Sequence, residues 1–310
     1  MLDQISWPDI IMGGRTSGPT SVFDLGEIKI VTDSIQMSFS SRSTESPSPP
    51  KAAAVASVVS PHVDEPLPGY RLTWSDEFDQ PGQPDPAKWG YEEGFIRNNE
   101  RQLYVRDRRE NARVEDGVLV IEARKEQFAI PHRTWFSKYA RYTSASLFSK
   151  ESWQYGRIEV RAKLPYGKGT WPAIWMLGTS GWWPACGECD ILEHVGRQPG
   201  YIHTRVHFGR NLLLHRSNGS SLKVDTPWED FHTYTMGWSR DEIAFFFDET
   251  LSYRFNIRKA DRRDGTNPFR QPHHLKINVA LGSWAGPIDD AIFPQRLLVD
   301  YVRVYQKADT

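Results

Sequence analysis

Cysteine is scarce in this chain. Two residues, Cys186 and Cys189, are all that 310 positions hold. Their C-x-x-C spacing offers a redox pair or half of a zinc site. A second Cys/His pair at ligand spacing is missing, and no βαβ pattern surrounds them, so each cysteine reads as a small buried residue. Net charge is also nearly absent: 38 Lys and Arg stand against 39 Asp and Glu, leaving −1. That balance gives no electrostatic case for nucleic acid or an anionic membrane surface. No apolar run approaches the roughly 18 residues of a membrane span. Long helical periodicity is missing, and so is any internal repeat.

Tryptophan is abundant instead. There are 12 Trp, and aromatics make up 13% of the chain. Some of these must be core, and the rest suit stacking on the flat faces of sugar rings. From Tyr70 onward the pattern is β. Gly117–Ala123, Glu242–Asp248 and Leu297–Tyr305 read as strands. Gly156–Leu164 alternates apolar with charged residues, which marks a strand with one wet face. Turn signals such as Asp116-Gly117, Pro165-Tyr166-Gly167, Asp248-Glu249 and Asp264-Gly265 punctuate these runs. Many strands at short spacing predict an all-β fold, a two-sheet β-sandwich over residues 62–310.

Residues 1–61 differ. The run Ser38–Pro50 is rich in Ser and Pro, and the segment is expected to be disordered and of low complexity, with Lys51–Ala56 at most a short helix. Asp3 and Asp9 stand in the N-terminal region, without a basic stretch leading into an apolar one. No signal peptide is recognisable at Met1.

The most informative stretch is Glu188-Cys189-Asp190-Ile191-Leu192-Glu193. It puts three acids within a segment that otherwise reads as buried strand, with Trp182, Trp183, Ala185 and Cys186 before it and Val195 after it. A strand alternates its faces, so Glu188 and Asp190 share one. Glu193 would turn away unless one extra residue, a β-bulge, returned it to that face. The outer two carboxylates would then lie about 5–7 Å apart, the separation used by retaining glycosidases. A solvated face is the ordinary reason for acids on a strand. Here apolar neighbours make crowded carboxylates costly, which favours a functional reading.

That stretch resembles the E-x-D-x-x-E signature of glycoside hydrolase family 16, in its laminarinase-like branch. Further segments agree in order: Trp74–Phe78, Asn98–Gln102, Tyr142–Ala145, Tyr155–Ala162, Gly169–Leu177, Ile288–Gln295 and Val299–Tyr305. The resemblance spans residues 68–306. It implies a jelly roll with a polysaccharide lying in a cleft across the concave sheet. By position, Glu188 resembles the nucleophile, Glu193 the acid/base and Asp190 the assisting carboxylate. His207 matches a histidine near the cleaved bond, and His203 shares its strand parity. Trp171, Trp175, Trp284 and Asn98 resemble substrate-contacting residues. Asp300 resembles a structural Ca²⁺ ligand, completed by main-chain oxygens near Glu77 and Gly117. No catalytic cofactor is implied.

Two departures stand out. Ser146 follows Tyr142-Thr143-Ser144-Ala145 where many relatives carry an arginine, which Arg97 is placed to replace. Cys189 stands where isoleucine is common, on the face away from substrate. The resemblance therefore predicts a retaining endo-β-glucanase, monomeric and secreted or periplasmic, acting on β-1,3-glucan. The alternatives are another family 16 polysaccharide (mixed-linkage glucan, agar or carrageenan) and a glucan-binding protein without activity. Against the last stands the presence of all three carboxylates.

Overall fold

The computed structural model describes residues 69–130 and 138–308. The expected low-complexity segment 1–61, including Lys51–Ala56, lies outside the described residues, as do the first residues of the expected domain.

Among the described residues, seventeen strands run in chain order. The first five are β1 (Tyr70–Asp76), β2 (Trp89–Glu92), β3 (Leu103–Tyr104), β4 (Ala112–Glu115) and β5 (Val118–Ala129). Then come β6 (Tyr139–Ser144), β7 (Ser146–Ser149), β8 (Gly156–Lys163), β9 (Thr170–Gly178) and β10 (Glu188–Glu193). β11 (Tyr201–Phe208) and β12 (Arg216–Lys223) form a hairpin, followed by β13 (His232–Trp238), β14 (Glu242–Phe247) and β15 (Thr250–Asn256). β16 (His273–Leu281) and β17 (Gln295–Lys307) close the fold. Short 3-10 turns are the only helical pieces among the described residues.

The strands form two sheets. One has the order β15-β14-β13-β8-β17-β5-β6-β3, with β1 also paired to β17 and β4 to β5. The other has the order β12-β11-β10-β9-β16-β7-β2. This is the expected sandwich, in the jelly-roll arrangement. The alternation read in Gly156–Leu164 holds: Ile158, Val160 and Ala162 are buried while Arg157, Glu159 and Arg161 are partly open.

The core lies between the sheets, where each inward face contributes alternate residues. β16 gives Leu275, Ile277, Val279 and Leu281, and β9 gives Ile174 and Met176. The larger sheet answers with Ile158, Val160, Val299, Val302 and Val304. Burying each such side chain is worth roughly 1.5–3 kcal/mol. The opposite parity of β9, β10 and β16 is thereby left facing away from the core, and the site is built on that outer face.

One local expectation is corrected. Trp182 and Trp183 do not continue a buried strand into Glu188. Residues 181–186 form a turn, and Trp182 is 67% exposed. Two aromatics ahead of an apolar run carry no strand signal of their own once Gly181 and Pro184 break the backbone on either side. Cys186 and Cys189 are both buried and unpaired, as expected.

Candidate active site

β10 carries the centre. Gly187, at φ +81°, a conformation that favours glycine, turns the chain into this strand. Glu188 pairs with Leu177 of β9 and His207 of β11, and Asp190 with Trp175 and Arg205. The register then slips, and Glu193 pairs with Ala173 and His203. Ile191 and Leu192, consecutive residues, both enter the core cluster. That is the mark of the inferred bulge: one extra inward residue returns Glu193 to the outer face.

Glu188, Asp190 and Glu193 line a single depression with Arg97, Asn98, Glu100, Trp171, Ala173, Trp175, Asn278 and Ala280. Trp171 donates from Nε1 to Glu193 Oε1 at 3.1 Å. Trp175 donates from Nε1 to Asn278 Oδ1 at 2.8 Å. Trp284, on the turn Ser283–Ala285, meets Trp171 edge-on at 5.4 Å. His207 Nε2 lies 3.2 Å from Asp190 Oδ2 and 3.9 Å from Glu188 Oε1. Asn98, at φ 55°, donates to Glu100 Oε1 at 3.3 Å. Every residue expected to meet substrate thus falls on this face or at its rim.

Burial shapes the charge of the three carboxyls. It raises all of them, because an ionised group loses its water. Glu188 is pushed up to about 7, by burial first and then by the charge of Asp190, with His207, Arg97 and Lys276 opposing. Asp190 also rises to about 7 through burial, against the pull of Arg205. Glu193 is held well above the usual carboxylate range, by burial and then by Asp190. A carboxyl that keeps its proton beside one that can give its proton up is the pairing needed for acid catalysis with nucleophilic attack.

His203, opposite Glu193, shares the face predicted from its parity. Its Nδ1 bonds Ser221 Oγ at 2.7 Å, and its ring lies 5.0 Å from Trp284. Burial pushes it down to about 4, so it is neutral near pH 7.

A second layer was missed in the sequence. Glu92 on β2 accepts from Arg97 Nη2 at 2.6 Å and from Lys276 Nζ. Arg97 and Lys276 both lie over the Trp175 ring, 4.9 and 4.6 Å from its centre. Burial alone would raise the Glu92 carboxyl, but these two cations hold it well below the ordinary range. Glu100 accepts from Gln102 and Tyr104 at 2.7 and 3.0 Å, and Tyr104 in turn accepts from Asn278 at 3.0 Å. A signal did exist in β16. Lys276 and Asn278 interrupt an apolar strand at one parity, which marks a polar outer face.

Asp300 lies where β17 changes neighbours, from β5 (Val299 beside Leu119) to β1 (Val302 beside Asp76). The calcium expected there calls for hard oxygen ligands, which the Asp300 carboxylate can supply. The Asp300 carboxylate, however, accepts from Arg161 through Oδ2, and Glu77 is gripped by Arg303 at 2.8–3.3 Å. A cation there would compete with the Arg161 guanidinium.

A jelly roll with a carboxylate-bearing cleft lined by Trp defines a polysaccharide-acting protein. The sequence matches the family described as "Glycosyl hydrolases family 16" over residues 99–303. The chain belongs to that family and is a glycoside hydrolase. It is 48% identical over 255 residues to a "Beta-glucanase" of Rhodothermus marinus, covering 77% of this chain and 86% of that protein. It also resembles a solved "non-specific endo-beta-1,3(4)-glucanase" with a TM-score of 0.70 and 43% identity, covering 77% of this chain and 95% of that one. That structure presents a 1,3-β-D-cellobiosyl-glucose at its active site. A more distant relative is a "Keratan-sulfate endo-1,4-beta-galactosidase" of Sphingobacterium multivorum, 33% identical, covering 76% of this chain and 55% of that protein. No helix among the described residues is long and apolar enough to cross a membrane.

Proposed function

We propose that this chain is a retaining endo-β-glucanase acting on β-1,3-glucan of the laminarin type. The observation that carries the reading is the β10 bulge, which gathers Glu188, Asp190 and Glu193 on one cleft face. Glu188 attacks the anomeric carbon as Glu193 gives its proton to the departing glycosidic oxygen. Glu193, now ionised, takes a proton from water, and the water oxygen displaces Glu188 from the sugar. Asp190 assists by adjusting the charge of its two neighbours. Trp171, Trp175 and Trp284 supply apolar faces for glucose rings, and Asn98 and His207 supply polar contacts to hydroxyls.

A neutral substrate is favoured over a sulfated galactan because Arg97 and Lys276, the cations beside Trp175, are both engaged by Glu92. Action as a monomer belongs to the same proposal. Work on an external polysaccharide supports a secreted or periplasmic location. A calcium ion at Asp300, with main-chain oxygens of Glu77 and Gly117, belongs to the proposal as a structural element only.

Two measurements test the reading. Reducing-sugar release from a panel of laminarin, mixed-linkage glucan, agar and carrageenan should favour laminarin. Cleavage of agar or carrageenan with laminarin untouched would overturn the substrate. Proton NMR of the first product should give the β-anomer; an α-anomer appearing first would sink the nucleophile role of Glu188.

A further inference from the structure

His215 lies outside the carboxylate stretch and the substrate-facing residues. It follows the 3-10 turn Leu212–Leu214 in the β11–β12 connection, capped by Asn211, whose side chain accepts from the Leu214 N–H at 3.0 Å. Gly209, at φ +150°, lets this connection close tightly, since a Cβ there would come within 2.4 Å of the Leu214 carbonyl oxygen. The result is a pair of parallel imidazoles. The His207 and His215 rings lie 5.1 Å apart with 9° between their planes, and His207 Nδ1 is 2.9 Å from His215 Nε2. Trp183 packs against both, at 6.1 and 4.8 Å.

We propose that His215 is a positioning residue: it holds the His207 imidazole against Asp190 and Glu188 through a hydrogen bond that can run in either direction. This rests on the roles proposed for Glu188 and Asp190. Asp190 Oδ2 is buried and makes no hydrogen bond in this geometry, and His207 Nε2, at 3.2 Å, is the group placed to donate to it. An ionised Asp190 can only accept, so His207 serves it only with N–H at Nε2. If His207 is neutral, its Nδ1 is then bare, and His215 must donate from Nε2. If Asp190 takes up a proton, it donates to His207 Nε2. The His207 proton then resides on Nδ1, and His215 must accept. Imidazole can do both by changing tautomer. A residue able only to donate, or only to accept, would strand His207 in one of the two states.

The surroundings favour this role. Burial, and then His207, pulls the His215 ring below its ordinary value, which keeps it neutral and able to act in either sense. The charged groups acting on the carboxyls beside His207 are Glu193 further along β10, Arg205 on β11, and Arg97 and Lys276 from across the cleft. None of these lies between the two imidazoles.

The test compares His215→Phe, which keeps a flat ring against Trp183, with His215→Gln, which keeps both a donor and an acceptor. His215→Phe should lower kcat on laminarin about tenfold with KM changed less than about twofold. It should also move the acid limb of the kcat profile to higher pH, since His207 favours the ionised form of Glu188. His215→Gln should restore most of kcat and the original limb. Imidazole ¹⁵N shifts, which need no substrate, should show one His207 tautomer at a given pH in the unaltered chain and a mixture in His215→Phe. Unchanged kcat, pH limb and ¹⁵N shifts in His215→Phe would overturn the proposal. Equal impairment of both variants would also overturn it, by assigning His215 a packing role alone. Because the ¹⁵N arm is independent of turnover, it decides the matter even if laminarin is not the substrate.

Discussion

Arg97 donates from Nη2 to the Ser146 hydroxyl at 3.2 Å, and the Ser146 O–H donates in turn to Glu92 Oε2 at 2.6 Å. The guanidinium therefore reaches the position on β7 where the resemblance leads us to expect an arginine, but it comes from the loop ahead of β3. Ser146 is fully buried. A second guanidinium at that position would crowd Arg97 and raise like charge in a dry setting. Ser146→Arg should lower the melting temperature by about 5 °C or more. The double variant Arg97→Ser with Ser146→Arg should recover most of that loss and bring KM on laminarin back toward its original value. Thermal melts beside Michaelis curves check both parts, and a double variant worse than either single change would refute the exchange.

Glu188→Gln and Glu193→Gln should each reduce hydrolysis of unactivated polysaccharide by about 10³-fold or more while the circular dichroism spectrum is kept. Asp190→Asn should be milder, since Asp190 adjusts charge and does not bond to the sugar. Reducing-sugar assays on purified variants rank the three. Near-unaltered turnover in either glutamine variant would remove that residue from the chemistry.

Glu188 also ties stability to pH with a definite sign. Its folded value is about 7 against an ordinary 4.5, so the fold prefers the neutral form. Below about pH 4.5 both folded and unfolded chains hold the proton, and Glu188 carries no ionisation penalty. Stability is then lost as pH rises toward 7, and the loss is complete above it. Glu188→Gln should therefore melt several degrees higher than the unaltered chain at pH 8 and at about the same temperature at pH 4. Activity should run the other way, falling as pH drops below about 7 and Glu188 takes up its proton. Melts at two pH values and a rate profile decide both signs.

A calcium ion at Asp300 would compete with the Arg161 guanidinium for the carboxylate. Calcium should raise the melting temperature reversibly with chelator, and Asp300→Ala should remove the effect. Arg161→Ala should make the response larger, because the competing cation is gone. No shift with either calcium or chelator, in the unaltered chain and in Arg161→Ala alike, would retire the metal.

The strands and the carboxylate face were legible because both depend on local spacing. Strict alternation in Gly156–Leu164 needs one wet face. Acids at positions 188, 190 and 193 need a bulge to share a face, and the register slip after Asp190 supplies it. The Glu92–Arg97–Lys276 group was not legible. Its members come from β2, a loop and β16, and only the folded sheet order brings them together. Lys276 gave a partial hint, being a cation in a strand otherwise filled with buried residues. His215 gave none, because its significance depends on a loop closure that places it against His207. Trp182 misled, since an aromatic beside a buried strand looks the same whether it packs inward or stands at a surface turn.

The single extra residue at Ile191–Leu192 separates two properties of the protein. The spacing between the reacting carboxyls is set within six residues of one strand, whereas the cleft rim is assembled from the loop ahead of β3, the turn at Trp284 and the β11–β12 connection. Rim segments can lengthen, shorten or exchange side chains without moving Glu188 relative to Glu193. Preference for one polysaccharide over another can therefore drift while the stereochemical course is inherited unchanged. Deleting either Ile191 or Leu192 would straighten β10 yet place Glu193 two residues after Asp190, still on the outer face. The acid would keep its side of the sheet, and only its reach along the cleft would shorten.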